Sequence, residues 1–170
     1  MHIILTQLIQ NKPIQRKFTK INNLYYLNAY FKTNNMTATV TYESNLRTTC
    51  LHLQSGSAIE TDAPTDNKGK GERFSPTDLI ATGLGACLIT TMGIKAESMQ
   101  IALDGAKVEV TKIMVADPRR IGKIIAHVTM PAGLNLDQKT KEILEKVART
   151  CPVERSLHPD LELDIAFHWQ

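Results

Sequence analysis

The stretch FSPTDLIATGLGACLITTMGI, residues 74–94, decides how this chain folds. Ser75, Pro76 and Asp78 have the pattern of a helix start. The serine caps, the proline's missing N–H costs nothing at the first position, and the acid reaches back to the cap amide. Leu79, Ile80, Gly83, Leu84, Cys87, Leu88 and Met92 then recur at spacings of three and four, which predicts a helix buried on most sides. Gly83 and Gly85 each cost roughly 1 kcal/mol relative to alanine inside a helix. Close approach of another backbone, in the chain or in a symmetry mate, would offset that cost. Cys87 lies in the middle of the apolar face.

Upstream of this helix the pattern has period two. TATVTY alternates and ends near Asn45. RTTCLHLQ, residues 47–54, puts Thr48, Cys50 and His52 on one face and Thr49, Leu51 and Leu53 on the other. Ser55 and Gly56 make a turn, SAIETD is a third short strand, and APTDNKGKGE, residues 63–72, reads as a loop. Downstream, KVEVTKIMV and KIIAHVTM flank ADPRRIG as a hairpin, with Val108, Val110 and Lys112 sharing a face. A second helix is predicted from about Leu136 to Thr150, capped by Asn135. Its apolar face holds Leu136, Ile143, Leu144, Val147, Ala148 and Cys151, and Pro152 stops it. LELDIAFHW closes the chain as a strand with Leu163, Ile165 and Phe167 inward. Strands, helix, hairpin, helix and strand in that order give an α+β class.

With 170 residues, 42% of them hydrophobic, the chain can bury one substantial core. Its formal net charge is +3, yet residues 1–35 hold Lys12, Arg16, Lys17, Lys20 and Lys32 and no acid, so the remainder carries −2. A body of that sign offers no basic stripe for nucleic acid. The organisation expected is a basic N-terminal extension over 1–35 and a single domain over 36–170. Three readings stand open for the extension: a dispensable tail, with Met36 as the true start; a surface or membrane-contact element; or a targeting segment. No run approaches 18 consecutive apolar residues, so no membrane span is expected. Three widely spaced cysteines are too few for a disulfide scaffold, which points to a reducing compartment, the cytoplasm. The five histidines lack metal-ligand spacing, and GKGE is not a phosphate loop, so neither metal nor organic cofactor is expected.

Cys87 and Cys151 remain as the chemistry-bearing pair, either small core hydrophobes or two halves of a redox couple. A helix C-terminus disfavours a thiolate, so Cys151 suits a resolving role better than an attacking one. Cys50 reads as a half-buried strand residue.

The stretch from Thr37 to Gln170 resembles the OsmC/Ohr family of thiol-dependent peroxidases. The resemblance is carried by GKGERFSPTDLIATGLGACLITTMGI, by RTCPVERSL and by NLR ending at Arg47. It implies an OsmC-like fold, with antiparallel sheets around a buried central helix, in an intertwined homodimer with both sites at the interface. It also implies reduction of organic hydroperoxides, with Cys87 peroxidatic, Cys151 resolving and an external dithiol as reductant. Arg47 would favour the thiolate. The alternative is a non-catalytic dimer of the same fold with structural cysteines or an apolar or thiol-bearing ligand. The family's active-site glutamate is replaced by Thr77. Glu72, in the loop before the helix, is the candidate partner for Arg47 in its place, while Asp78 is occupied as a cap. Leu84, Leu88 and Met92 beside Cys87 suit either an organic chain or plain core packing.

Overall fold

The computed structural model describes residues 36–170. The three readings of residues 1–35 lie outside the described residues. Among the described residues, 36–41 and 50–59 belong to one compact unit and 42–49 and 60–170 to a second.

The alternating N-terminal segments form β1 (Ala38–Ser44), β2 (Arg47–His52) and β3 (Ala58–Asp62), paired in that order in a three-stranded sheet. Within the first unit the β2–β3 turn is closed by His52 N donating to Ser57 O at 2.8 Å and Gly56 N to His52 O at 2.9 Å. Gly56 has φ +74, a conformation that glycine adopts without a Cβ clash.

In the second unit the long helix α1 runs Pro76–Ser98 and starts as its sequence predicts. Asp78 N donates to Ser75 Oγ at 3.1 Å, and Ser75 N donates to Asp78 Oδ2 at 2.7 Å. The hairpin follows as β4 (Lys107–Ala116) and β5 (Arg119–Thr129), antiparallel. Its turn is shorter than expected, because Arg119 to Gly122, read as part of the turn, belong to β5, with Arg119, Arg120 and Ile121 paired to β4. The second helix, α2, is Gln138–Ala148, and its cap is Asp137 rather than Asn135: Asp137 Oδ1 accepts from Thr140 N at 2.7 Å.

Pro152 does not end the helical structure; it opens a further short helix, α3 (Pro152–Ser156), with Cys151 as its N-cap. The last strand, β6 (Glu162–His168), pairs with β5 in parallel, so this sheet is mixed where antiparallel sheets were expected. A period-two pattern specifies which face is buried and carries no strand direction.

The core joins the inner face of α1 to this sheet and to α2. Leu84, Leu88 and Met92 meet Ile124, Val128 and Leu144, all fully buried. Each such side chain contributes roughly 1.5–3 kcal/mol of burial. The other face of α1 is open: Ile80 is 47% and Ile94 67% exposed. Gly85 lies against β4, where an added Cβ would come within 2.9 Å of Val110 Cγ1, while Gly83 faces nothing within 4 Å. Of the three glycines in α1, only Gly85 is therefore explained within the chain, since Gly93 also faces nothing within 4 Å. The helix is long and apolar enough to cross a membrane, with mean hydropathy 1.5, although only its inner face is packed. Glycines and threonines interrupt the run, so a count of consecutive apolar residues misses this average.

Candidate redox site

The two cysteines that the sequence separates by three elements are neighbours in space. Cys87 sits half-buried on α1, and Cys151 is fully buried at the start of α3; both are free thiols. The junction between α2 and α3 holds Cys151 in place. Its N–H donates to Ala148 O at 3.2 Å, and its Sγ accepts from Glu154 N at 3.3 Å. Burial pushes the Cys151 thiol up, the Glu154 amide opposes that shift, and the Cys87 side chain adds to it through a hydrogen bond and its charge. A thiol at a helix N-cap would ordinarily lean toward ionisation, but here desolvation is the larger effect.

Arg47, at the first position of β2, is bound by two carboxylates. Its Nε and Nη2 reach Asp62 Oδ1 and Oδ2 at 2.7 and 2.8 Å, a bidentate pair, and Nη2 also reaches Glu72 Oε2 at 2.8 Å. The hydrogen bonds from Arg47 hold the Asp62 carboxyl below its usual range.

Glu72 is brought there by its loop, which is fastened rather than free. Asp62 N donates to Phe74 O at 3.1 Å, Glu72 N donates to Asp62 Oδ2 at 3.1 Å, and Ala63 N donates to Leu46 O at 3.0 Å. Asp62, only 3% exposed, is the partner that sequence reasoning missed. Its signal was an acid at the inner end of a short strand two residues after Glu60, which pairs with Arg73 at 2.7 Å. Within the chain Arg47 makes no hydrogen bond to Cys87 or Cys151 among the described residues.

At the start of α1 a second cation is bound. Lys112, from β4, donates to Thr77 Oγ1 at 2.6 Å and Ser75 Oγ at 2.8 Å and pairs with Asp78 Oδ1 at 2.8 Å. Thr77 is thus a ligand of Lys112 rather than of Arg47. Asp78 serves the cap and this lysine. A cleft of about 460 Å³ lies over this cluster, lined by Glu72, Arg73, Phe74, Asp78 and Lys112. A smaller one of about 240 Å³ continues between α1 and β4 past Gly85, Ala86 and Ile89. Neither cysteine lines either cleft. Leu84, Leu88 and Met92 are fully buried core, so they pack the helix and present no surface to a ligand.

Among the described residues no group of three or more metal-ligating side chains is gathered. In chemical terms the site offers an approachable thiol next to a buried one, on rigid elements, with a carboxylate-bound guanidinium elsewhere on the same unit.

A family model described as OsmC-like protein matches residues 69–166. A Psychrobacter arcticus protein of unproven role, whose name refers to osmotic stress induction and a detoxification response, is 50% identical. Its match covers 78% of this chain and 96% of that one, with a TM-score of 0.74. An organic hydroperoxide resistance protein of Legionella pneumophila, also named a predicted redox protein and regulator of sulfide bond formation, shares the fold at 18% identity. That match covers 77% of this chain and 94% of the other, with a TM-score of 0.62. The organic hydroperoxide resistance protein OhrB of Bacillus subtilis does so at 18% identity, 79% and 98% coverage and a TM-score of 0.54. No curated protein matches the chain.

Proposed function

The chain belongs to the OsmC-like protein family, and on that premise we propose that it reduces organic hydroperoxides to alcohols with Cys87 and Cys151. The observation that carries the reading is the direct interaction of a half-buried thiol, Cys87, with a fully buried one, Cys151. The Cys87 thiolate attacks the terminal oxygen of the hydroperoxide. A sulfur–oxygen bond forms, the O–O bond breaks, and the departing alkoxide takes a proton to become the alcohol. Cys151 then attacks the sulfenic sulfur of Cys87. The S–S bond forms, the S–O bond breaks, and the Cys151 thiol hydrogen leaves with the hydroxyl as water. An external dithiol returns two electrons and two protons and becomes a disulfide itself.

The working unit in this reading is a homodimer in the cytoplasm. Ile80 and Ile94 on α1 and the exposed Phe74 give a second copy an apolar surface to cover. Arg47, released from Asp62 or presented across that interface, is the group that would orient the peroxide.

A second reading, a dimer whose cysteines do not turn over, is favoured by one feature. Asp62 and Glu72 already saturate much of the Arg47 fork, and Thr77 supplies no competing charge. Incubation with an alkyl hydroperoxide and a dithiol separates the two readings. Catalytic peroxide consumption with loss of one thiol pair per chain supports the peroxidase; stable thiols in excess peroxide support the alternative.

A further inference from the structure

The sheet of β4, β5 and β6 has a second face, turned away from α1. Ile124, Ala126, Val128 and Ile165 point inward and are buried, so the alternate residues His127 and His168 point outward, where both are exposed. The parallel register sets Thr129 beside His168, which makes His127 the diagonal neighbour of His168 across β5 and β6. The two are 41 positions apart in sequence, yet Nδ1 of His127 lies 3.0 Å from Nε2 of His168. Their rings are 17° from parallel with centroids 5.3 Å apart, a separation that imidazoles this close at nitrogen reach only edge to edge. One proton is therefore shared between the facing nitrogens, carried by one ring and accepted by the other. On the other side of His127, β4 sets Glu109 directly opposite, its carboxylate on the same outer face and paired with Lys107 at 2.8 Å.

We propose that His127 and His168 form a binding site for a late first-row divalent transition-metal ion, on the opposite face of the sheet from the helix that carries Cys87. Imidazole nitrogen binds such an ion at about 2.0–2.1 Å, so two donors at 90° around it stand about 2.9 Å apart. The two facing nitrogens already have that spacing. For the ion to enter, the shared proton moves to the outer nitrogen of its own ring. Each exposed ring then turns so that its freed lone pair meets the ion. Both ligands are neutral imidazoles in that state, and Glu109 supplies a negative charge beside them. Water fills the remaining positions. A closed structural zinc site takes four protein ligands, whereas two imidazoles and water suit an exchangeable ion of the nickel or copper type.

Nickel(II) is a suitable probe, because it favours imidazole nitrogen and leaves thiols unoxidised. Its unpaired electrons broaden the amide signals of residues near it. In the full chain with its thiols reduced, substoichiometric nickel(II) should broaden His127, His168 and their strand neighbours before any other residues. The concentration that half-broadens these signals should rise at least about 10-fold in His127→Gln and in His168→Gln, since loss of a supporting group alone costs that much. Glutamine at either exposed position can still hydrogen-bond across the strands, so both variants should keep the wild-type spectrum without metal. His158→Gln, at an exposed histidine outside the sheet, should respond as the wild type does. Broadening centred elsewhere in the wild-type chain, a shift below about 10-fold in either sheet variant, or an equal shift in His158→Gln would overturn the proposal.

Discussion

Replacing Asp78 with asparagine tests what holds the first turn of the helix that carries Cys87. The carboxylate does three things there: it receives the Ser75 amide at 2.7 Å, the Ser75 hydroxyl at 2.8 Å and Lys112 Nζ at 2.8 Å. Asparagine keeps an oxygen for the cap but loses the charge. A negative charge at a helix start contributes about 0.3–1 kcal/mol. A charge-assisted hydrogen bond contributes about 1.5–3 kcal/mol. Asp78 is 39% exposed, so solvent screens it and the lower ends apply. The expected loss is about 2 kcal/mol, or ~4–8 °C in Tm for a chain of this size.

The pH dependence has a definite sign. Burial pushes the Asp78 carboxyl up, but the hydrogen bonds from Lys112 and Ser75 together outweigh it and hold the carboxyl below its usual 3.8. Its contribution is thus complete above that pH and is lost as pH falls through the folded value. Urea melts at neutral and acid pH, with Lys112→Met and the double variant, give the coupling directly; about 1 kcal/mol is expected. A loss below about 0.5 kcal/mol, within the range of ordinary surface substitutions, or strict additivity with Lys112→Met, would refute the reasoning.

Gly85→Ala should destabilise the fold by about 1–2 kcal/mol in denaturant melts, since the clash with Val110 outweighs the gain in helix propensity. If Arg47 serves the thiolate, Arg47→Leu should slow the reaction of Cys87 with hydroperoxide in stopped-flow measurements, whereas an equal rate would limit Arg47 to bracing the loop. Because burial raises the Cys151 thiol above its ordinary 9.0, stability should decline as pH rises through that value. Cys151→Ser should remove this alkaline limb from pH-dependent melts.

Much of the architecture is legible in local pattern, because capping chemistry and periodicity are local. Ser75, Pro76 and Asp78 announce α1, and the alternation of Leu163, Ile165 and Phe167 announces β6. What is not legible depends on partners distant in sequence. Glu72 was a candidate for Arg47 from its place in the chain, but Asp62 meets Arg47 across a gap of fifteen residues that no spacing rule encodes. Lys112 was read only as a strand residue, and its role follows from β4 packing beside the first turn of α1. The short helix after Cys151 was legible in principle, since it repeats the pattern of Ser75 to Asp78. Pro152 obscured it, because a proline that ends one helix can equally begin the next.

Closure of Cys87 onto Cys151 is tested most directly by peptide mapping of protein treated with one equivalent of an alkyl hydroperoxide. An intrachain Cys87–Cys151 disulfide is predicted in the wild-type chain. Cys151→Ser should yield one trapped sulfenic acid at Cys87 per chain and then stop, and Cys87→Ser should not react. A bridge through Cys50, or equal reactivity of the two variants, would contradict the assignment of these two thiols.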